Sequence, residues 1–429
     1  MAGAALLAVA SAGLLVSCLT TRRPALAPEV DPLLLGFDGA QPKLDIGVVP
    51  GAKSAAIAVP GPYLLVEPET RATARGEALA QTQVEAPAAG GLAIGAWRYD
   101  ADELEIVPEQ PTTPVIVEGR RYLGSLRIVR REGVAGASPA GSEPLPPPEV
   151  AVINRVGMED YLTGVLGAEM PLSWPDPALQ AQAVAARTYA LYHLRVRAHS
   201  QPLFHVRADT RSQVYRGLDY PRPADLERAR KLVADTQGVV LAWRDRIFQA
   251  FFSSTCGGKT TSALAYFGAP DITPLAGNEC GFCEKSSHAT WETVFTPEEV
   301  ATGLRAKKLG APADLADLLV VDRDPAGRAT RVALVAADGA SLTMSASELR
   351  LAVGPGKIKS TWFEIENQPA DGTAGGENEP AGRFVFRGKG WGHGVGFCQW
   401  GARGMADAGH DAEAILRRYY PGAQIVRAY

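Results

Sequence analysis

An excess of charge of one sign is missing from this 429-residue chain: 43 Lys and Arg stand against 47 Asp and Glu, a net charge of −4 at pH 7. A chain so balanced carries no bulk basic field, which excludes nucleic acid as a partner held by net positive charge. Long apolar runs are also scarce, and beyond Val16 no segment approaches the roughly 20 apolar residues that span a bilayer. No internal repeat is visible, which sets solenoids aside. What the chain does have is an ordinary globular composition, 46% hydrophobic and 21% charged, with a length that suits about two or three structural units. Its 45 Gly and 32 Pro favour strands and loops over a helical bundle.

The first sixteen residues are almost entirely apolar and small, and they run into Leu15-Val16-Ser17-Cys18 and then the polar Thr20-Thr21-Arg22-Arg23. This stretch resembles a bacterial lipoprotein signal, of signal-peptide rather than transmembrane length. The small Ser17 gives a signal peptidase access, and Cys18 is the candidate lipidated first residue of the mature chain. No Lys or Arg precedes Cys18, where such signals usually carry charge, so a signal cleaved elsewhere with Cys18 incidental is the alternative. Both imply export; the first implies a protein of the bacterial envelope whose membrane contact is its lipid anchor only.

Four regions follow in order: the signal at 1–18, a Pro-rich linker at 19–43, a β-rich region at 44–156 and a catalytic region at 157–429. Leu44 to Val49, Tyr63 to Val66, Leu104 to Val107, Arg121 to Val129 and Val150 to Val156 are short β-branched or alternating runs bounded by Gly and Pro, which predicts strands. Polar, Pro/Gly-rich stretches near 132–149 and 368–381 read as disordered loops. The chain turns helical at Met158, returns to strands near Val239 to Phe252 and ends with a Gly-rich segment and a short helix over 412–420. The predicted fold class is α+β, mixed, with a β-rich core and helices carrying the active-site motif.

Within Glu159 to Glu169 (EDYLTGVLGAE), Leu162, Leu166 and Glu169 fall at i, i+4 and i+7 and share one helical face. Met170-Pro171 stops the helix, so Glu169 sits at its C-terminus on the inward face. Partial burial and the negative end of the helix dipole both disfavour the anion, raising the pKa as a general acid requires; a carboxylate paired with a nearby Arg is the alternative. The next helix opens with Asp176 and Pro177 and runs through ALQAQAVAARTYALYH. Its alanines permit close packing and leave Gln182 and Arg187 to project toward a cleft beside Glu169, or Arg187 to sit in solvent.

At this point the sequence resembles a known family. YLTGVLGAEMPLSWPDPALQAQAVAARTYAL, SQVYRG at Ser212 to Gly217, FFSSTCGGKT at Phe251 to Thr260, and GKGWGHGVGFCQWGARGMADAG at Gly388 to Gly409 followed by ILRRYYPGA are similar, in the same order, to the stage II sporulation protein D (SpoIID/LytB) family. The resemblance implies a lytic transglycosylase acting on peptidoglycan glycan strands, with Glu169 of the Glu-Met-Pro motif as sole catalytic acid and Arg187 functionally important. It implies no required cofactor. Gln182, Gln213, Tyr215, Trp391, His393 and Gln399 become candidate substrate-binding residues. Some relatives are described as enhancers of a cell-wall amidase, which makes a non-catalytic glycan-binding partner of an amidase the second reading. A hydrolase pairing Asp160 or Asp176 with Glu169 is the alternative within enzyme chemistry.

The glycine-rich GWGHGVGFCQWGA lacks the Lys-Ser/Thr of a phosphate loop. It suits tight turns beside a sugar, with Trp391 and Trp400 for stacking on pyranose faces and His393 and Gln399 for hydrogen bonds, or else an internal packing motif. Cys256, Cys280, Cys283 and Cys398 remain once Cys18 is set aside. Cys280-Gly281-Phe282-Cys283 has the spacing of a zinc knuckle, with His288 close by, so these four cysteines and His288 are candidate ligands of a structural zinc. Two disulfides are equally open in an exported chain, with free thiols the third reading. Some relatives carry a His/Cys metal cluster just before the Gln-Val-Tyr motif; here that stretch is HVRADTRSQVYRG and has no cysteine.

Overall fold

A computed structural model describes residues 40–132, 147–197, 203–368 and 382–429. The signal sequence with Cys18, nearly all of the 19–43 linker and most of both expected loops lie outside the described residues. Among the described residues no helix is long and apolar enough to cross a membrane.

The N-terminal half builds two sheets. The first has seven strands, in the order Val206–Arg207, Lys43–Ala52, Glu149–Gly157, Ser125–Arg131, Glu103–Pro108, Tyr63–Val66 and Thr73–Gly76. All its pairings are antiparallel except that between Lys43–Ala52 and Val206–Arg207. The second has six: Arg120–Tyr122, Val115–Val117, Ser54–Val59, Leu79–Glu85, Leu92–Ile94 and Trp97–Tyr99. The single strand expected over Arg121 to Val129 is two strands in different sheets. The break falls at Gly124, whose φ of +85° is one that a side chain rarely tolerates. Val150, Ala151, Val152 and Ile153 are all buried, so Glu149–Gly157 is covered on both faces and shows an apolar run rather than alternation.

This strand leads directly into helix α1 (Met158–Glu169), which is followed by α2 (Asp176–Arg197) and α3 (Pro223–Asp235). Tyr161, Leu162, Val165 and Leu166 form the buried face of α1. Met170 leaves it in extended conformation (φ −136°, ψ 141°), as the following proline demands. The alanine-rich α2 is buried continuously from Ala181 to Leu191, because small side chains let neighbours approach its backbone from every side. Farther on, Phe252–Ser253 pairs in parallel with Phe397–Cys398. That short ladder lays the Ser-Thr-Cys-Gly-Gly loop alongside the Cys-Gln-Trp-Gly segment opening the helix Gln399–Asp407. The fold is thus α+β and β-rich.

Two hydrophobic clusters hold it together. One joins the N-terminal strands to α1, α2 and the C-terminal helices. The other lies wholly within 291–386, inside the expected 157–429 region, and gathers Phe295, Leu318, Val332, Phe363 and Phe386. It is built from two three-stranded sheets, Thr290–Phe295 with Arg383–Lys389 and Phe363–Gln368, and Leu315–Arg323 with Ala329–Ala336 and Ser341–Ser345.

Candidate active site

Glu169 is the last residue of α1, half-buried. Its Oε1 accepts the backbone N–H of Val214 at 2.7 Å, and its Oε2 lies 3.4 Å from the donor Nε2 of Gln399. Burial pushes the carboxyl pKa up, and these two hydrogen bonds offset only part of the rise. Among the described residues no arginine or lysine forms an ion pair with Glu169, so the alternative of a structural salt bridge at this position is not what the structure holds. The site is a carboxyl shifted toward its protonated form, held in orientation by one backbone and one amide donor.

Each donor has its own support. Gln399 Nε2 also reaches Gln182 Oε1 at 3.5 Å, which ties α2 to the helix Gln399–Asp407. Gln182 is fully buried, and its Nε2 finds no partner; as placed it backs Gln399 rather than facing a sugar. Val214 is presented by its neighbours. Gln213, completely buried, accepts from Tyr161 Oη at 2.9 Å and donates to the carbonyl of Ala186 at 3.3 Å. Tyr215, also buried, donates to Asn154 Oδ1 at 2.8 Å and packs on Tyr161 and Tyr122 with centroids 4.9 and 5.3 Å away. The expectation that Gln213 and Tyr215 bind substrate is therefore corrected: both side chains are buried in the core, while the N–H of the residue between them holds Glu169.

Arg187 is corrected more sharply. It neither projects into a cleft nor sits in solvent but is fully buried. Its Nε and Nη2 grip the Glu159 carboxylate at 3.0 and 2.7 Å, and Nη1 donates to the carbonyl of Val239 at 3.0 Å. Glu159 is further held by the Tyr429 hydroxyl at 2.6 Å. This network locks α1, α2, the end of α3 and the C-terminus together.

The Gly-rich segment is divided in role. Its Trp391 is exposed and stands edge-on to His288 with centroids 4.3 Å apart. His393 packs among Phe251, Tyr266 and Phe267; burial and the nearby Arg328 cation push its pKa down to about 3, leaving the ring neutral. Neither hydrogen-bonds to Glu169, and only Gln399 of this segment does. Sequence reasoning missed Trp174, five residues beyond Glu169. Its ring meets Trp400 edge-on at 5.0 Å, and the Arg403 guanidinium lies over both rings at 5.2 and 4.9 Å. An aromatic residue in the turn after the candidate acid was the available signal.

Of the two other carboxylates considered, one lies too far along its helix and the other is held in an ion pair. Asp160 is in the first turn of α1, nine residues from Glu169 and so about 13 Å along the helix, beyond the roughly 5 to 9.5 Å that separates paired glycosidase carboxylates. Asp176 is paired with Arg228 on α3. In the stretch before the Gln-Val-Tyr motif, His205 Nδ1 accepts the N–H of Asp45 at 2.9 Å, and among the described residues no metal-ligating cluster forms there. The cluster that does form is Cys256, Cys280, Cys283 and Cys398. His288 is corrected as a ligand: it is not in that group, and its Nδ1 lies 3.2 Å from Lys359 Nζ.

A family model described as stage II sporulation protein (SpoIID) matches residues 148–243, the stretch holding Glu169, Gln182, Arg187, Gln213 and Tyr215. A second, described as a domain of unknown function (DUF8618), matches 276–396 and encloses the separate hydrophobic cluster. An uncharacterized protein of Brachyspira hyodysenteriae is 34% identical over 279 residues, 64% of this chain and 68% of its own length. Stage II sporulation protein D of Bacillus subtilis is 28% identical over 288 residues, 64% of this chain and 76% of its own. A Bacillus subtilis protein named amidase enhancer is 25% identical over 368 residues, 76% of this chain and 47% of its own.

Proposed function

The chain belongs to the stage II sporulation protein D family, and from that premise we propose that it is a peptidoglycan lytic transglycosylase. The substrate is the glycan strand, and the bond cleaved is the β-1,4 linkage between N-acetylmuramic acid and N-acetylglucosamine. The observation that carries this reading is the Glu169 carboxyl, raised in pKa by burial and without a carboxylate partner among its contacts.

Protonated Glu169 gives its proton to the glycosidic oxygen as the bond to C1 breaks and an oxocarbenium-like centre develops. The carboxylate so formed is the state that the Val214 N–H and the Gln399 amide stabilise. It then takes the proton from the muramic acid 6-hydroxyl as that oxygen closes on C1, giving a 1,6-anhydro end and restoring the acid. One carboxyl suffices for both steps. Trp400, the residue after Gln399 and only half-buried, supplies an apolar face of the kind that packs on pyranose rings, with the buried Trp174 edge-on behind it.

The test is incubation of the purified protein with intact and peptide-stripped glycan strands, with products read by mass spectrometry. Anhydro ends support the proposal, and ordinary reducing ends would replace it with a hydrolase. Retention of glycan without cleavage would favour the second reading, a non-catalytic enhancer of a cell-wall amidase, which the name of the 25% identical relative brings forward. For location we infer an exported, lipid-anchored protein of the bacterial envelope. Cys18→Ser should then leave the protein unprocessed or release it from membranes, and an unmodified native N-terminus beyond Cys18 would refute the anchor.

A further inference from the structure

We propose that Cys256, Cys280, Cys283 and Cys398 bind one zinc ion as a closed tetrahedral site that ties the segment 284–397 at its neck to the body of the protein. All four cysteines are buried and unbridged, and their sulfurs all lie within 4.8 Å of one another. Cys256 Sγ and Cys283 Sγ are 3.7 Å apart. Four sulfurs at the usual zinc–thiolate length of about 2.3 Å stand about 3.8 Å from each other in a tetrahedron, so the spacing is that of ligands around one ion. Two disulfides would instead sort the sulfurs into pairs at about 2.0 Å, whereas here every sulfur faces the other three.

Three further observations point to a bound cation with thiolate ligands. The backbone N–H groups of Cys256 and Gly401 point at Cys398 Sγ from 3.2 and 3.3 Å, as donors do toward a metal-bound thiolate. Gly401 leaves room beside the cluster, since a Cβ there would overlap Tyr419 Oη and stand 2.6 Å from Cys280 Sγ. Most telling is Arg328, completely buried. Its Nη2 donates to the Cys256 carbonyl at 2.6 Å, while Nε and Nη1 have no hydrogen-bond partner. A cation is expensive to bury without compensating charge; the buried Asp324 carboxylate, which accepts the Arg328 backbone N–H at 3.0 Å, supplies one negative charge nearby, and the thiolates of a loaded site supply more. Zinc(II) with four thiolates carries two net negative charges, and the guanidinium is anchored on the carbonyl of one of those four ligands, Cys256.

The ligands come from both sides of the 291–386 cluster: three precede it and Cys398 follows it. Binding one ion therefore closes the loop through which that segment leaves and rejoins the rest of the chain. Cys398 also caps the helix Gln399–Asp407, accepting the Gly401 N–H, and the next residue, Gln399, reaches Glu169. The ion would so fix the start of the helix that carries a positioning residue for the candidate acid.

Loading releases four thiol protons per zinc, and the site is structural because no ligand position is left open. The full-length protein, purified without chelator from zinc-supplemented medium, should contain one zinc per chain by elemental mass spectrometry. Thiol titration should find four reactive cysteines in the 256–398 region only after denaturation with chelator. Replacing zinc by cobalt(II) should give the absorption of a tetrahedral tetrathiolate. Cys283→Ser should weaken zinc retention by more than about 100-fold, beyond the 10- to 100-fold typical of losing an outer-shell partner. Where that variant does not fold, the cobalt spectrum of the wild-type protein decides. Protein free of metal after zinc-supplemented growth, or thiols lost in pairs with the mass decrease of two disulfides, would overturn the proposal. None of these readouts depends on glycan cleavage, so the site and the transglycosylase reading stand or fall separately.

Discussion

Replacing Arg187 by Met removes the guanidinium while keeping most of the stem's volume. Glu159 then keeps the Tyr429 hydroxyl and a longer contact to the Gly238 N–H at 3.3 Å but loses its counter-charge, and the carbonyl of Val239 loses its donor. The pair is well sequestered, with the Arg187 side chain wholly inaccessible and that of Glu159 at 17% exposure. Removing one member of such a pair costs about 3 to 5 kcal/mol, mostly the penalty of the charge left behind. Against a typical total of about 5 to 15 kcal/mol, the variant should fold only marginally. Urea unfolding followed by circular dichroism measures the loss. In a double-mutant cycle Glu159→Gln should return about 1 to 3 kcal/mol, because the charge that suffers is then absent. If Arg187→Met unfolds within about 1 kcal/mol of wild type yet loses glycan cleavage, far less than a broken buried pair should cost, then Arg187 acts on substrate and the structural role assigned to it is wrong.

Glu169→Gln should lower cleavage by about 100- to 10,000-fold while glycan binding persists, since an amide keeps the shape but gives no proton; retention of a tenth of the activity in a folded variant would unseat Glu169. The same substitution should affect stability with a definite sign. The Glu169 pKa is raised by burial, so in the wild type its stabilising contribution is present below the unfolded-state value and is lost as pH rises through the folded-state value. Thermal denaturation should therefore find Glu169→Gln more stable than wild type at pH 7, with the gap closing toward pH 4; a gap that widens on acidification would contradict the desolvation account. Tyr215→Phe leaves Asn154 Oδ1 buried without its donor and should cost about 1 to 3 kcal/mol in unfolding experiments. Its KM for glycan should not change, and a raised KM with normal stability would mean that Tyr215 does meet substrate.

Much of the framework was legible because it obeys local rules. The β-branched run opening at Val150, the helix beginning at Met158 and the stop at Met170-Pro171 follow from β-branched content, i, i+4 spacing and proline sterics. Position alone made Glu169 a candidate for a raised pKa, since a carboxylate continuing a leucine stripe must be drawn partly inward. The separate cluster at 291–386 was not legible. Its strands, such as Leu315–Arg323 and Ser341–Ser345, are largely exposed and show no clean alternation, and nothing local says that they pack with one another rather than with the earlier sheets. The convergence of Cys256 and Cys398 on the Cys-x-x-C was equally hidden, because the parallel ladder joining Ser253 to Cys398 spans 145 residues of chain.

The residues that failed as substrate contacts show why a motif is a poor map of a surface. Gln213, Tyr215 and Arg187 sit in the segments that give the family its signature, yet all three are buried and act on the site at one remove. The acid role proposed for Glu169 requires its carboxyl, at the end of α1, to be set in a fixed direction. The Val214 N–H does it, and that N–H is only as fixed as the two side chains flanking it, which are pinned to Tyr161 and Asn154. Arg187, by clamping α2 to the first turn of α1 through Glu159, keeps Gln182 and hence Gln399 in register with the other end of α1. Each of these side chains is demanded by geometry as strictly as a contact residue would be, and none need ever touch a sugar.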